Sequence, residues 1–242
     1  MFGRILLLAI FLVAYYTFLM PRFGRLSERL VLRSGLTEHR SWLAANDACK
    51  LGLSAFSQSL LLIVLMFVTG VTFGGLFPEM SLYRVLYGVL LGAGEMALTA
   101  LLVHAVLLGL MAMGRERIPS SIEGWLPLSR GGWMREYANT MAVAPWPFVV
   151  AATVGYVSVE EVVFRGVVLS FLSADGAVVA FIVSLASFVG VQILHTPNWR
   201  TALFPVIGAI VVGSIHASLF LAVPDMTPLI VAHITFFVVA TI

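Results

Sequence analysis

Apolar positions along this chain gather into long unbroken runs, with little of the alternation that marks a strand. The runs fall at about 5–20, 52–77, 85–113, 146–173, 177–195, 202–222 and 228–242. A bilayer core about 30 Å thick needs around 20 apolar residues per helix, so the pattern predicts an all-α, polytopic transmembrane helix bundle of about seven spans, between about six and eight. The first run opens with a single charge, Arg4, and closes on Tyr15-Tyr16-Thr17-Phe18-Leu19-Met20. That stretch offers no small-residue cleavage site, so the run reads as a retained anchor and not as a signal peptide.

Composition agrees with the pattern. Of 242 residues, 60% are hydrophobic and 11% charged, and mean hydropathy is +1.03. Soluble domains carry roughly 25% charged residues. A chain of this size cannot hide so much apolar surface from water, which leaves the bilayer as its solvent. A net charge of +2 is too small to point to nucleic acid. Cys49 stands alone, which excludes an internal disulfide and a cysteine-based metal cluster.

Charge also predicts orientation. The 21–50 connection holds Arg22, Arg25, Arg29, Arg33, Arg40 and Lys50, and the 114–145 connection holds Arg115, Arg117, Arg130 and Arg135. Two spans separate them, so both fall on one face, and Arg200 joins them by the same count. The positive-inside rule makes that face cytoplasmic. Within 21–50, Leu26 and Leu30 with the 29–33 arginine spacing suit a helix lying at the interface or a solvated linker. Gly70-x-x-x-Gly74 and Gly88-x-x-x-Gly92 are read as places where helices approach closely.

Ionisable groups inside spans cost at least about 2.5–3.5 kcal/mol each on insertion scales and tend to mark function. Here they are Glu95, His104, Glu160, Glu161, Arg165, His195, His216 and His233. In Glu160-Glu161-Val162-Val163-Phe164-Arg165-Gly166, residues four apart share a helix face, so Glu161 meets Arg165. Glu160 points about 100° away and is left free to face a cavity as a general base. His195 and His233 end or interrupt apolar runs, and each is expected to reach a cavity shared with Glu160. A glutamate with two histidines can activate water, and it can also ligate zinc, although no His-Glu-x-x-His helix is present. Glu95, His104 and His216 are read as buried side chains satisfied between helices.

These residues resemble the CAAX-protease and bacteriocin-processing family, to which the Rce1-like prenyl endopeptidases belong. The resemblance covers about 150–235 and rests on Glu160-Glu161-x-x-x-Arg165-Gly166, then His195, then His233 behind a Pro-containing turn. It implies a glutamate-type intramembrane protease, a hydrolase with no expected cofactor. Its substrate would be a membrane-anchored peptide or protein and its setting the lipid bilayer, in the cytoplasmic membrane of a prokaryote. In that frame Glu160, His195 and His233 are catalytic, and Glu161 with Arg165 supports them. The chain then divides into 1–145, an anchor, a basic amphipathic segment and two further spans, and 146–242, a protease-like catalytic bundle.

Two positions depart from the family pattern. Val191 stands where an aromatic precedes the first histidine, and Phe237 stands where an Asn or Asp follows the last. Removing one oxyanion donor typically costs about 2.7–4 kcal/mol in the transition state. Gln192, Asn198 and His216 are the candidates to replace it or to act in second shell. The departure also resembles the divergent, myxosortase-type sorting branch, which cuts near C-terminal membrane anchors. The alternatives are a non-catalytic membrane scaffold of the same fold and a metal-dependent protease on the same residues. A plain-hairpin count at 1.5 Å per residue sets Glu160 about 21 Å and His195 about 27 Å from their outer turn, but His233 only about 9 Å from its own. So His233 aligns only if 223–232 dips into the protein or a span is miscounted.

Overall fold

Lipid offers no hydrogen bonds to a backbone, so an apolar run of this length is satisfied as a helix. The computed structural model describes residues 1–35, 39–78, 80–114, 133–141, 143–196 and 198–241, and these are helical with no strand among them. Arg115, Arg117 and Arg130 lie outside the described residues. In chain order the elements are α1 (Phe2–Val13), α2 (Met20–Arg33), α3 (His39–Thr69), α4 (Leu82–Ala112), α5 (Trp133–Met141), α6 (Trp146–Glu161), α7 (Ser170–Ser173), α8 (Ala177–Leu194), α9 (Trp199–Ala222) and α10 (Met226–Thr241). Two π-helical segments, Ala14–Leu19 and Val162–Leu169, join α1 to α2 and α6 to α7. Six helical stretches are long and apolar enough to cross a membrane, and the apolar helix Met226–Ala240 is shorter.

The first span is longer than its apolar run. Phe2–Arg33 is continuous, and the basic amphipathic stretch is its second half, packed along α3. Widening at Ala14–Leu19 turns two consecutive aromatics inward, so Tyr15 and Tyr16 are both buried. Single π-turns of this kind often sit at functional sites. Val162–Leu169 is buried at all eight positions. A helix apolar on every side belongs at the centre of a bundle. α8 closes on it, where the Ser184 hydroxyl donates to the Phe164 carbonyl over 2.9 Å.

The two glycine pairs behave differently. The 52–77 run is helical only to Thr69, because Gly70 takes φ 73° and its N–H bonds the Met66 carbonyl at 2.9 Å, a left-handed helix stop. The first pair is therefore no crossing point, and a Cβ at Gly70 or Gly74 would meet nothing within 4 Å. The second pair is one. A Cβ at Gly88 would sit 2.6 Å from the Pro228 oxygen, and one at Gly92 would sit 2.1 Å from the Ala232 oxygen. On α4 the buried residues Gly88 and Gly92 thus lie directly against α10, while Glu95 and Thr99 farther along face α9.

The depth of α10 has two causes. Leu76 covers its start, its carbonyl accepting from the Met226 N–H at 2.9 Å. Asp225 meets Arg84 of α4 at 3.1 Å and accepts the Thr227 N–H at 3.0 Å, capping the helix. Asp225, Met226 and Thr227 are consequently buried. A plain hairpin places this turn at the membrane surface, whereas here it is sunk in protein, and His233 is carried inward with it.

Gly92→Ala is expected to force α10 off α4 and lower stability by about 1–3 kcal/mol, the cost of overpacking. Gly74→Ala is expected to stay within about 0.5 kcal/mol of the parent. Thermal unfolding of the detergent-solubilised chain checks both, and a Gly92→Ala protein as stable as the parent would contradict the close crossing.

Candidate active site

The last turn of α6 and the π-segment after it deliver Glu160, Glu161 and Arg165. Glu161 is fully enclosed and faces three partners. Its Oε1 lies 3.2 Å from Arg165 Nε and 2.9 Å from Nδ1 of His216 on α9. Its Oε2 lies 3.0 Å from Nδ1 of His233 on α10. A carboxylate only accepts, so both imidazoles donate from Nδ1. Arg165 is also fully enclosed, and its guanidinium lies 3.9 Å from the centroid of the Phe188 ring. The expected Glu161–Arg165 pair is therefore present as a contact of charges, stacked on an aromatic face from α8.

His216 continues this cluster into α4. Its Nε2 lies 3.1 Å from Glu95 Oε1, without hydrogen-bond alignment. With a carboxylate facing each ring nitrogen, His216 as imidazolium makes Glu95, His216, Glu161 and Arg165 neutral in sum. Buried charges persist when paired in this way. Glu95 and His216 are thus the helix-to-helix contacts expected of them, and they meet each other; His104, read in the same way, is instead exposed on the outer face of α4.

Glu160 is arranged differently. It is 3% exposed, and its Oε1 is enclosed with no hydrogen-bond partner among the described residues. Thr153, Tyr156 and Glu160 follow one another along a single face of α6. The first two line a cavity of about 340 Å³, together with Tyr16, Met20, His195 and Phe237. The charged rim includes Arg25, Glu28, Lys50 and Glu136, where Lys50 pairs with Glu136. Phe237 packs edge-on against Tyr137, with ring centroids 4.7 Å apart. Burial pushes the Tyr137 phenol above its ordinary range.

His195 caps the end of α8 in the wall of this cavity. Its Nδ1 is 2.7 Å from the Val191 carbonyl, and its Nε2 is 2.9 Å from the Met20 sulfur. A carbonyl only accepts, so Nδ1 carries the proton and neutral His195 keeps its lone pair on Nε2. The Tyr16 ring stands edge-on to His195 at 6.0 Å and stacks on Phe164 at 6.3 Å.

The structure therefore sorts the expected site residues into two groups. Neither His195 nor His233 lies within hydrogen-bond or ion-pair reach of Glu160. His233 is held by Glu161, and His195 faces the cavity beside Tyr16. Gln192 is buried and lines a small second pocket with His233. Asn198 is the N-cap of α9, accepting from the Thr201 N–H at 3.1 Å, and it does not line the main cavity. No group of three His, Cys, Asp or Glu side chains converges as a metal-ligand set among the described residues. Sequence reasoning passed over Tyr16, Gln58 and Tyr156. A phenol or an amide costs little in an apolar run and does not stand out as a charge does; the one available signal was the pair of adjacent tyrosines, Tyr15 and Tyr16, in the first apolar run.

Against this geometry stand the comparisons with known proteins. Residues 142–239 match the family model described as type II CAAX prenyl endopeptidase Rce1-like. The match takes in Glu160, Glu161, Arg165, His195, His216 and His233; α1 to α4 lie outside it. No curated protein and no solved structure matches the chain.

Removing one member of a buried ion pair strands the other, so Glu161→Gln and Arg165→Met are each expected to lower stability by about 3–5 kcal/mol. The double substitution is expected to recover much of that loss, because no lone charge remains. Denaturation of the three variants beside the parent checks the pairing, and simple additivity of the two losses would refute it.

Proposed function

We propose, on the premise that residues 142–239 belong to the Rce1-like family of type II CAAX prenyl endopeptidases, that the chain is a glutamate-type intramembrane endopeptidase. On this reading it hydrolyses a peptide bond close to a membrane anchor, in a lipidated or C-terminal sorting segment. The observation that carries the reading is Glu160, a buried carboxylate with an unpartnered oxygen, set beside a cavity whose wall holds His195.

The chemistry follows from which groups are spare. Glu161 is spent on Arg165 and two histidines, so it does not take part in proton transfer. Glu160 takes one proton from a water as that oxygen attacks the scissile carbonyl, and the carbonyl π electrons move onto oxygen. When the tetrahedral intermediate collapses, the C–N bond breaks and the amine leaves with the proton from Glu160. Neutral His195 accepts a hydrogen bond from the attacking water at Nε2, the position that Met20 occupies in the resting protein. His233 is fixed through Nδ1 by Glu161 and on this reading holds that carboxylate in place beside the reacting groups. A base positioned in this way contributes typically 10²–10⁴-fold. The cavity rim is built from the two arginine-rich connections, so by the positive-inside rule cleavage takes place on the cytoplasmic side.

A second reading rests on Phe237. Where the family pattern has a polar side chain, this residue is apolar and packed on Tyr137, as suits a membrane scaffold that binds anchored proteins without cutting them.

The test uses the full chain in lipid vesicles with two internally quenched peptides, one a prenylated CAAX peptide and one with an unprenylated transmembrane anchor. The parent is expected to cleave at least one. Glu160→Gln, His195→Ala and His233→Ala are each expected to lose about 100-fold or more while still inserting and folding. Undiminished cleavage by Glu160→Gln would refute the mechanism. Silence from both the parent and Phe237→Asn would favour the scaffold.

A further inference from the structure

The first helix does more than anchor the chain. Tyr16, from the widened turn Ala14–Leu19, is 5% exposed and lines the main cavity. Its ring is clamped between Phe164 and His195. Gln58 Nε2 on α3 donates to its hydroxyl oxygen over 3.1 Å. That oxygen therefore accepts, and among the described residues no acceptor takes its own proton. Thr153 and Tyr156, on the face of α6 that also carries Glu160, line the same cavity as Tyr16, and Glu160 Oε1 has no hydrogen-bond partner among the described residues. A buried donor with a spare proton thus lines the cavity beside His195, opposite the α6 face on which the unpartnered acid lies. Neighbouring Tyr15 differs, because its hydroxyl is engaged with Ser57 at 2.8 Å.

The candidates that sequence offered as oxyanion donors do not line this cavity. Gln192 lines the small second pocket with His233, Asn198 caps α9, and His216 is held between Glu161 and Glu95. Phe237 has no donor to offer. We infer that the Tyr16 hydroxyl is a catalytic hydrogen-bond donor of this site, stabilising the oxyanion of the tetrahedral intermediate in place of the polar side chain that Phe237 lacks. The inference rests on the endopeptidase reading and adds to it a catalytic residue from the first helix, outside the segment that matches the family. Gln58 orients the phenol and leaves its proton pointing at the substrate. A donor held in a site closed to water needs no reorganisation as charge develops, which is why single donors of this kind count for so much.

The experiment uses the full chain in the vesicle assay with the two quenched peptides. Tyr16→Phe keeps the ring between Phe164 and His195 and removes only the hydroxyl. It is expected to lower kcat about 10²–10³-fold, with KM within about 3-fold of the parent. Binding of a peptide aldehyde, whose hydrate resembles the tetrahedral intermediate, is expected to weaken by a similar factor; a merely structural role would not produce that split. Tyr15→Phe is expected to cleave like the parent. Where Tyr16→Phe yields too little folded protein, Tyr16→Phe with Gln58→Leu removes both partners, so no buried amide is left unsatisfied; the same loss of kcat is expected. Phe237→Asn in the Tyr16→Phe background is expected to restore part of the rate. If the parent cleaves, Glu160→Gln does not, and Tyr16→Phe matches the parent, this inference falls and the endopeptidase reading stands. If the parent cleaves neither peptide, both fall.

Discussion

The Glu161 carboxylate is the constraint on which the rest of this structure depends. An anion enclosed among membrane helices persists only where opposite charge and hydrogen-bond donors reach it. Those come from three places: Arg165 one turn on, His216 on α9 and His233 on α10. The second nitrogen of His216 in turn draws Glu95 of α4 into the group. One buried charge therefore sets the mutual positions of α4, α9, α10 and the central helix. The glycines of α4 make the arrangement sterically possible, since no side chain fits between Gly92 and the Ala232 carbonyl.

That constraint also explains why two adjacent acids have different fates. Successive residues on a helix point about 100° apart, so Glu161 turns into the ionic cluster while Glu160 lies on the α6 face whose Thr153 and Tyr156 line the cavity. The cluster engages both oxygens of Glu161, whereas Oε1 of Glu160 has no hydrogen-bond partner among the described residues. Around it the wall is assembled from elements far apart in the chain: Thr153 and Tyr156 from α6, His195 from the end of α8, Phe237 from α10, and Tyr16 and Met20 from the first helix. The amino-terminal helices are thus part of the site.

Much of this was legible in the sequence wherever the governing interaction is local. Glu161 with Arg165 is an i, i+4 pair, so its partnership and the exclusion of Glu160 follow from helix geometry alone. Run length located the spans, and it erred at Thr69 because an apolar Gly70-Val71-Thr72-Phe73 has the hydropathy of a helix and the conformation of a stop. Small-xxx-small spacing marked both glycine pairs equally, yet only Gly88 and Gly92 face a neighbouring backbone, which spacing cannot tell. His216 was legible as a satisfied histidine, but not that two acids satisfy it. The depth of His233 was out of reach, because it depends on Leu76 meeting Met226 and on Arg84 meeting Asp225.

The sequence by itself determined that this chain is an all-helical membrane bundle, that two acids stand side by side within an apolar span at Glu160-Glu161, and which of the two is neutralised. Those conclusions rest on hydropathy and on contacts within one or two helical turns, which residue order dictates. Tertiary structure alone decided that His233 serves Glu161, that Met20 meets His195, and that a tyrosine from the first helix, held by Gln58, stands beside His195. The hydrogen-bond contacts among these join residues 42 to 175 positions apart. Their geometry is set by helix crossing and burial, which no local spacing encodes.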